Sequence, residues 1–115
     1  MPRHNFADCE LAWTSFDKPA QVFNSRWGGY VRDSGETKVL HPTQKALEVM
    51  KWCIREFSEP GHTIFDPYMG SGTVAVASIL LNRHFIGIEK NFEYFAQSET
   101  RVKAAYAHQA LGTKL

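Results

Sequence analysis

Thr63-Ile-Phe-Asp-Pro-Tyr-Met-Gly-Ser-Gly-Thr-Val-Ala-Val-Ala-Ser-Ile-Leu-Leu-Asn-Arg-His-Phe-Ile-Gly-Ile-Glu89 is the stretch that decides the fold. Thr63 to Phe65 is a short apolar run stopped by Asp66-Pro67, which predicts a strand ending in a turn. Gly70 and Gly72 then interrupt any period, and Val74 to Leu81 is apolar nearly all round, as a helix lying under a sheet must be. Arg83 to Glu89 reads as a second, buried strand. The segment between them is too long for a hairpin, so the two strands are expected side by side and parallel, joined right-handedly through the helix. In such sheets ligands bind beyond the carboxyl ends of the strands, which is where Asp66 and Glu89 fall.

Outward from this unit, Leu47, Met50, Ile54 and Phe57 form one apolar stripe at helical spacing, predicting a helix of about four turns that starts near Thr43 and stops at Pro60-Gly61. Trp52 lies off that stripe and is expected to cover a neighbouring chain or a missing segment. Downstream, Asn91 can cap a last helix from Phe92 to about Ala110, ended by Gly112. Upstream, Glu10 to Phe16 and Gln21 to Trp27 are β-prone runs separated by Asp17-Lys18-Pro19-Ala20, which predicts a hairpin or two neighbouring strands, with Trp13 and Phe16 packed in core and sheet. Gly28 to Glu36 reads as loop. The chain thus divides into a strand and loop segment, 1–40, and an α/β half-domain, 41–115.

Its 115 residues are enough for one small core, and 43% hydrophobic against 22% charged residues sets disorder aside. A net charge of +1 is not that of a dedicated nucleic-acid binder, so any contact with DNA or RNA must be local. Cys9 and Cys53 are too sparse for a disulfide framework or a zinc site and read as reduced thiols. No run is long enough for a membrane span, and the start has no hydrophobic signal core, so a cytoplasmic protein with no membrane contact is expected.

Gly70-x-Gly72-x-x-Ala75 with Glu89 nineteen residues after Gly70 satisfies the pattern of a nucleoside-cofactor site: glycines admit the ligand, a helix start offers N–H groups, and the distal acid accepts ribose hydroxyls. The competing reading is a structural turn beside an ordinary strand-terminal glutamate. Asp66 at the strand end would repel a pyrophosphate but attract the ammonium of an amino-acid moiety, which favours S-adenosylmethionine over a nicotinamide cofactor. No Gly-Lys-Ser/Thr follows, which excludes a Walker loop.

His41-Pro-Thr-Gln-Lys45, Asp66-Pro-Tyr-Met-Gly-Ser-Gly-Thr73 and Phe85-Ile-Gly-Ile-Glu89, with Tyr94 and Arg101 downstream, closely resemble the carboxyl-terminal half of site-specific DNA amino methyltransferases. These are the adenine-N6 and cytosine-N4 enzymes of the permuted order in which the cofactor motifs come last. Cys9 to Phe16 resembles a strand that precedes the cofactor half in phage and prophage members. The resemblance implies an α/β fold, a partial, Rossmann-like S-adenosylmethionine-dependent methyltransferase fold with a mainly parallel sheet. It implies that Asp66, Tyr68, Gly70, Ser71, Gly72 and Thr73 line the methionine side of the cofactor, that Glu89 holds the ribose, and that Lys90 lies over the adenine. Thr43 and Lys45 would face the methionine carboxylate; His41, at the head of their motif, reads as a backbone hydrogen-bonder rather than a general base. Ala46 and Tyr68 stand where the family commonly has Pro and often has Phe.

The family polarises its target amine with Asp, Asn or Ser followed by Pro-Pro and an aromatic residue that stacks on the flipped base. All five prolines here stand alone, and Asp66-Pro67-Tyr68 is already taken by the cofactor loop. No catalytic residue and no metal ligand is therefore assigned, and the chain alone is expected to be inactive. DNA would be met mainly through a complementary part, either a second polypeptide carrying the catalytic motif or an identical chain. Arg26, Trp27, Tyr30 and Arg32 are the candidate DNA contacts, weighed against plain solvent exposure. His62 and His84 read as surface residues. A non-catalytic remnant or partner subunit, and a nicotinamide oxidoreductase fragment, remain as alternatives.

Overall fold

The structure, a computed structural model, describes residues 10–24 and 46–112. From Ala46 onward the element order is α1 (Leu47–Phe57), β1 (Thr63–Asp66), α2 (Thr73–Leu80), β2 (His84–Gly87) and α3 (Phe92–Ala110). The strands pair in parallel, Thr63 opposite His84 through Asp66 opposite Gly87, so the crossover read from the sequence is formed. α2 packs on both strands and is flanked by α1 and α3. Its residues Ala75 to Ile79 are all buried, which is why its sequence shows no polar face. Val76 and Ile79 meet Ala105 of α3 in the core, with Leu47, Leu80, Phe85 and Val102 packed around them.

Several expectations change. α1 begins at Leu47 rather than near Thr43, because Ala46 is extended, with ψ of 134°. The second strand is covered on one face only: Phe65 and Ile86, paired in register, are 60% and 56% exposed, and Ile88 is 52% exposed. Residues 10–24 form no strand. Trp13 is 89% exposed, and the other rings serve α1 instead. Phe16 lies 4.9 Å from Phe57, Phe23 stacks on Trp52 at 5.2 Å, and Lys18 sits over the Phe57 ring while donating to the Glu56 carbonyl. Trp52 is therefore covered by this chain's own upstream segment.

Polar side chains fasten the element ends. The buried Arg83 guanidinium, just before β2, donates to the Ser58 carbonyl at 2.7 Å, the Ser58 hydroxyl at 3.0 Å and the Leu81 carbonyl at 2.7 Å. A cation at the end of α1 also opposes the negative end of the helix dipole. Gln109 near the end of α3 donates to the Ile79 carbonyl at 2.8 Å and to Asn82 at 2.7 Å, and Asn91 caps α3 by accepting from the Tyr94 N–H. Arg83→Met is expected to lower stability by about 1.5–3 kcal/mol, since carbonyls that lose a charged donor stay under-satisfied. Chemical denaturation of the two proteins checks this, and equal midpoints would show that water replaces the guanidinium without loss. Burial pushes the Cys53 thiol above its ordinary pKa, which keeps it protonated and unreactive at neutral pH, as expected of a structural thiol.

Candidate functional site

The two strands end side by side, and backbone bonds carry the register past their formal ends. The Ile88 N–H donates to the Asp66 carbonyl at 3.0 Å, and the Met69 N–H donates to the Ile88 carbonyl at 2.9 Å. Asp66 and Glu89 therefore emerge at one edge, as the parallel order requires. Asp66 Oδ1 accepts from the Tyr68 N–H at 3.0 Å, an Asx-type turn that starts the loop and turns the chain away from the strand. Asp66-Pro67-Tyr68 is thus the entry to the glycine loop.

Glu89 closes the same loop. Its Oε1 accepts from the Gly70 N–H at 3.1 Å, and its Oε2 accepts from the Asn91 N–H at 3.0 Å. One carboxylate therefore ties the β1–α2 loop to the start of α3. Each carboxylate oxygen has two lone-pair directions, so each retains one for an outside donor. That is the acceptor pattern needed by a vicinal diol, and the half-buried setting of Glu89 favours hydrogen bonding over free solvation.

Gly72 precedes α2 with φ of 91°. A side chain there would press on α3: an added Cβ would stand 2.9 Å from the Ser98 Cβ and 3.3 Å from its Cα. The loop is accordingly wedged between the sheet edge and α3, and only glycine fits. Met69, Gly70, Ser71, Gly72 and Thr73 are buried, whereas Tyr68 is exposed at the rim, with Lys90 beside Glu89 and Phe92 at the start of α3.

The structure thus brings Asp66, Tyr68, Gly70, Ser71, Gly72, Thr73 and Glu89 to one end of the sheet. His41, Thr43 and Lys45, and the DNA candidates Arg26, Trp27, Tyr30 and Arg32, lie outside the described residues. Among the described residues no group of His, Cys, Asp or Glu could hold a metal, and no helix is long and apolar enough to cross a membrane. His62 and His84 are exposed. Sequence reading missed what Ser98 and Arg101 do. Arg101 on α3 donates to the Ser71 carbonyl and hydroxyl, each at 3.1 Å, and to the Thr73 hydroxyl at 3.0 Å. The signal that could have found them was the α3 face made of Ser98, Arg101, Val102 and Ala105, where small residues mark a close approach and an arginine sits among them.

Comparison with known proteins agrees with this geometry. A family model described as DNA methylase matches residues 10–100. The DNA adenine methyltransferase YhdJ of Escherichia coli K12 is 36% identical over 92 residues, 80% of this chain and 30% of its own. The type II methyltransferase M2.MboI of Moraxella bovis is 39% identical over 66 residues, 57% of this chain and 24% of its own. Among solved structures, the complex of M1.HpyAVI with SAM matches with TM-score 0.55 and 45% identity, over 56% of this chain and 32% of its own. A DNA modification methylase from Thermus thermophilus in complex with S-adenosyl-L-methionine matches with TM-score 0.52 and 28% identity, over 53% of this chain and 25% of its own. The chain spans between about a quarter and a third of the length of these relatives. With the crossover, the paired strand-end carboxylates and a family match over most of its length, the chain belongs to the DNA methylase family of adenine-N6 and cytosine-N4 methyltransferases.

Proposed function

We propose that this chain is the S-adenosylmethionine-binding portion of a DNA methyltransferase that modifies the exocyclic amine of adenine or cytosine. The observation that carries the reading is Glu89, fixed by Gly70 and Asn91 with acceptor capacity left on both oxygens. The cofactor supplies an electrophilic methyl group when bound. In this reading Glu89 receives the ribose hydroxyls, Asp66 attracts the methionine ammonium, and the loop from Tyr68 to Thr73 gives the methionine side its shape, while Lys90 lies over the adenine. Thr43 and Lys45 would face the methionine carboxylate, with His41 at the head of the same motif. The solved relatives described as complexes with this cofactor support the assignment. YhdJ, named a DNA adenine methyltransferase, favours adenine.

These 115 residues hold no Pro-Pro-aromatic triplet, the device by which the family draws on the hydrogens of the target amine and stacks on the flipped base. Cofactor placement without that polarisation leaves most of the barrier standing. We therefore assign the chain to a bipartite arrangement in the cytoplasm: DNA is engaged chiefly by a complementary part, with Arg26, Trp27, Tyr30 and Arg32 as local contacts. A non-catalytic remnant of a methyltransferase is the second reading, favoured by the same missing triplet.

Incubation with tritiated S-adenosylmethionine and mixed-sequence duplex DNA separates these. No transfer is expected from the chain alone, and transfer is expected once a polypeptide carrying the Asp-Pro-Pro-aromatic motif is added. Transfer by the isolated chain overturns the bipartite reading, and a silent mixture favours the remnant. Displacement of bound S-adenosylhomocysteine by NADH would point instead to a nicotinamide enzyme.

A further inference from the structure

We propose that Ser71 and Thr73 serve the cofactor loop through Arg101 rather than by touching the ligand, and that Ser98 and Arg101 of α3 are positioning residues for that loop. The inference rests on the cofactor reading above for its ligand, but not for its geometry. The Ser71 and Thr73 side chains are almost wholly buried, and both hydroxyl oxygens accept from one guanidinium nitrogen, which also holds the Ser71 carbonyl. A hydroxyl turned toward α3 is turned away from a ligand at the strand ends. What the loop offers a ligand is its backbone and its shape, and those are fixed from outside by a cation thirty residues further along the chain.

Ser98 supplies the other half of the device. It lies one turn before Arg101, is almost wholly buried, and directs its hydroxyl to the Phe95 carbonyl at 2.7 Å. Its Cβ stands where any side chain on Gly72 would have to go. Sterics at Ser98 thus limit how far the loop can approach α3, and charge-assisted bonds from Arg101 limit how far it can leave. Glu89 restrains the same loop from the sheet side through the Gly70 N–H. A loop held on two sides before any ligand arrives loses little ordering entropy on binding, which is where preorganisation raises affinity.

Calorimetry with S-adenosylhomocysteine and hydrogen exchange on the full chain test this together. Arg101→Ala is expected to weaken binding at least tenfold and to speed exchange of the Gly70 and Gly72 amides by a similar factor. Amides of α1, which packs on α2 rather than on α3, should keep their rates. Arg101→Lys, which keeps the charge on a shorter side chain without the planar fork, should fall between. Thr73→Val should weaken binding by itself yet add nothing in the Arg101→Ala background, since interaction through a shared partner is non-additive. If Arg101→Ala does not fold, the same cycle is run on Arg101→Lys. Independent, multiplying losses would mean that Thr73 contacts the ligand directly and would overturn the proposal, as would unchanged binding in Arg101→Ala. Loop exchange that depends on Arg101 in a chain that binds no S-adenosylhomocysteine would leave the clamp standing and overturn the cofactor reading instead.

Discussion

Gly72→Ala is expected to cost about 2–5 kcal/mol of folding stability, a large share of what a domain of this size possesses. Two effects add. At φ of 91° a β-carbon meets its own backbone, worth about 1–2 kcal/mol. The new methyl also stands 2.9 Å from the Ser98 Cβ and 3.3 Å from its Cα, atoms of a packed helix rather than the free end of a side chain, and overpacking of this kind costs about 1–3 kcal/mol. Gly61 provides the control: its φ is 88°, but nothing lies within 4 Å of an added Cβ. Gly61→Ala should therefore show only the backbone part. Thermal unfolding should place Gly72→Ala well below Gly61→Ala, and Ser98→Gly in the Gly72→Ala background should recover part of the difference. Equal melting temperatures for the two alanine variants would mean that α3 yields freely and does not wedge the loop.

The largest effect on binding is expected at Glu89. Glu89→Ala removes both restraints on backbone N–H groups as well as the proposed ribose acceptors, and hydrogen bonds to a charged group contribute about 1.5–3 kcal/mol each. The Kd for S-adenosylhomocysteine should rise by a factor on the order of a hundred. Glu89→Gln is the sharper test. The Gly70 and Asn91 N–H groups address opposite oxygens of the carboxylate, so an amide must turn its NH2 toward one of them, donor against donor. The isosteric variant should thus lose at least tenfold, although it keeps size and polarity. Full affinity in Glu89→Gln would show that the carboxylate ties are dispensable and that the ribose is held elsewhere.

The crossover from Thr63 to Glu89 could be read because each local signal agreed with the others: an apolar run, Asp-Pro, paired glycines, an all-apolar helix and a second run ending in an acid. Asn91 and Gly112 marked α3 for the same reason, since caps are local chemistry. The upstream runs failed because aromatic and β-branched residues favour strands only where a sheet surface receives them. Phe16 and Phe23 find Phe57 and Trp52 of α1 instead. Half of the second strand's burial was overestimated because Ile86 and Ile88 are as apolar as Phe85, and composition does not tell which face of a sheet is covered. The link from Arg101 to Ser71 and Thr73 escaped because it depends on where α3 crosses the loop.

The side-chain ties of this fold have an order in time as well as in space. Arg83 reaches back 25 residues to Ser58, Arg101 reaches back 30 to Ser71, and Gln109 reaches back 30 to Ile79. Each fastens an element already synthesised, and contacts of short sequence separation form quickly. On a growing chain the end of α1 is secured when Arg83 appears, and the parallel pair follows within a few residues. The Arg101 ties on the glycine loop form only when Arg101 emerges, after the sheet that carries the loop. A chain ended between Ile88 and Arg101 is thus expected to possess the crossover without a fixed loop, so the nascent protein acquires its frame before the loop on that frame is held still.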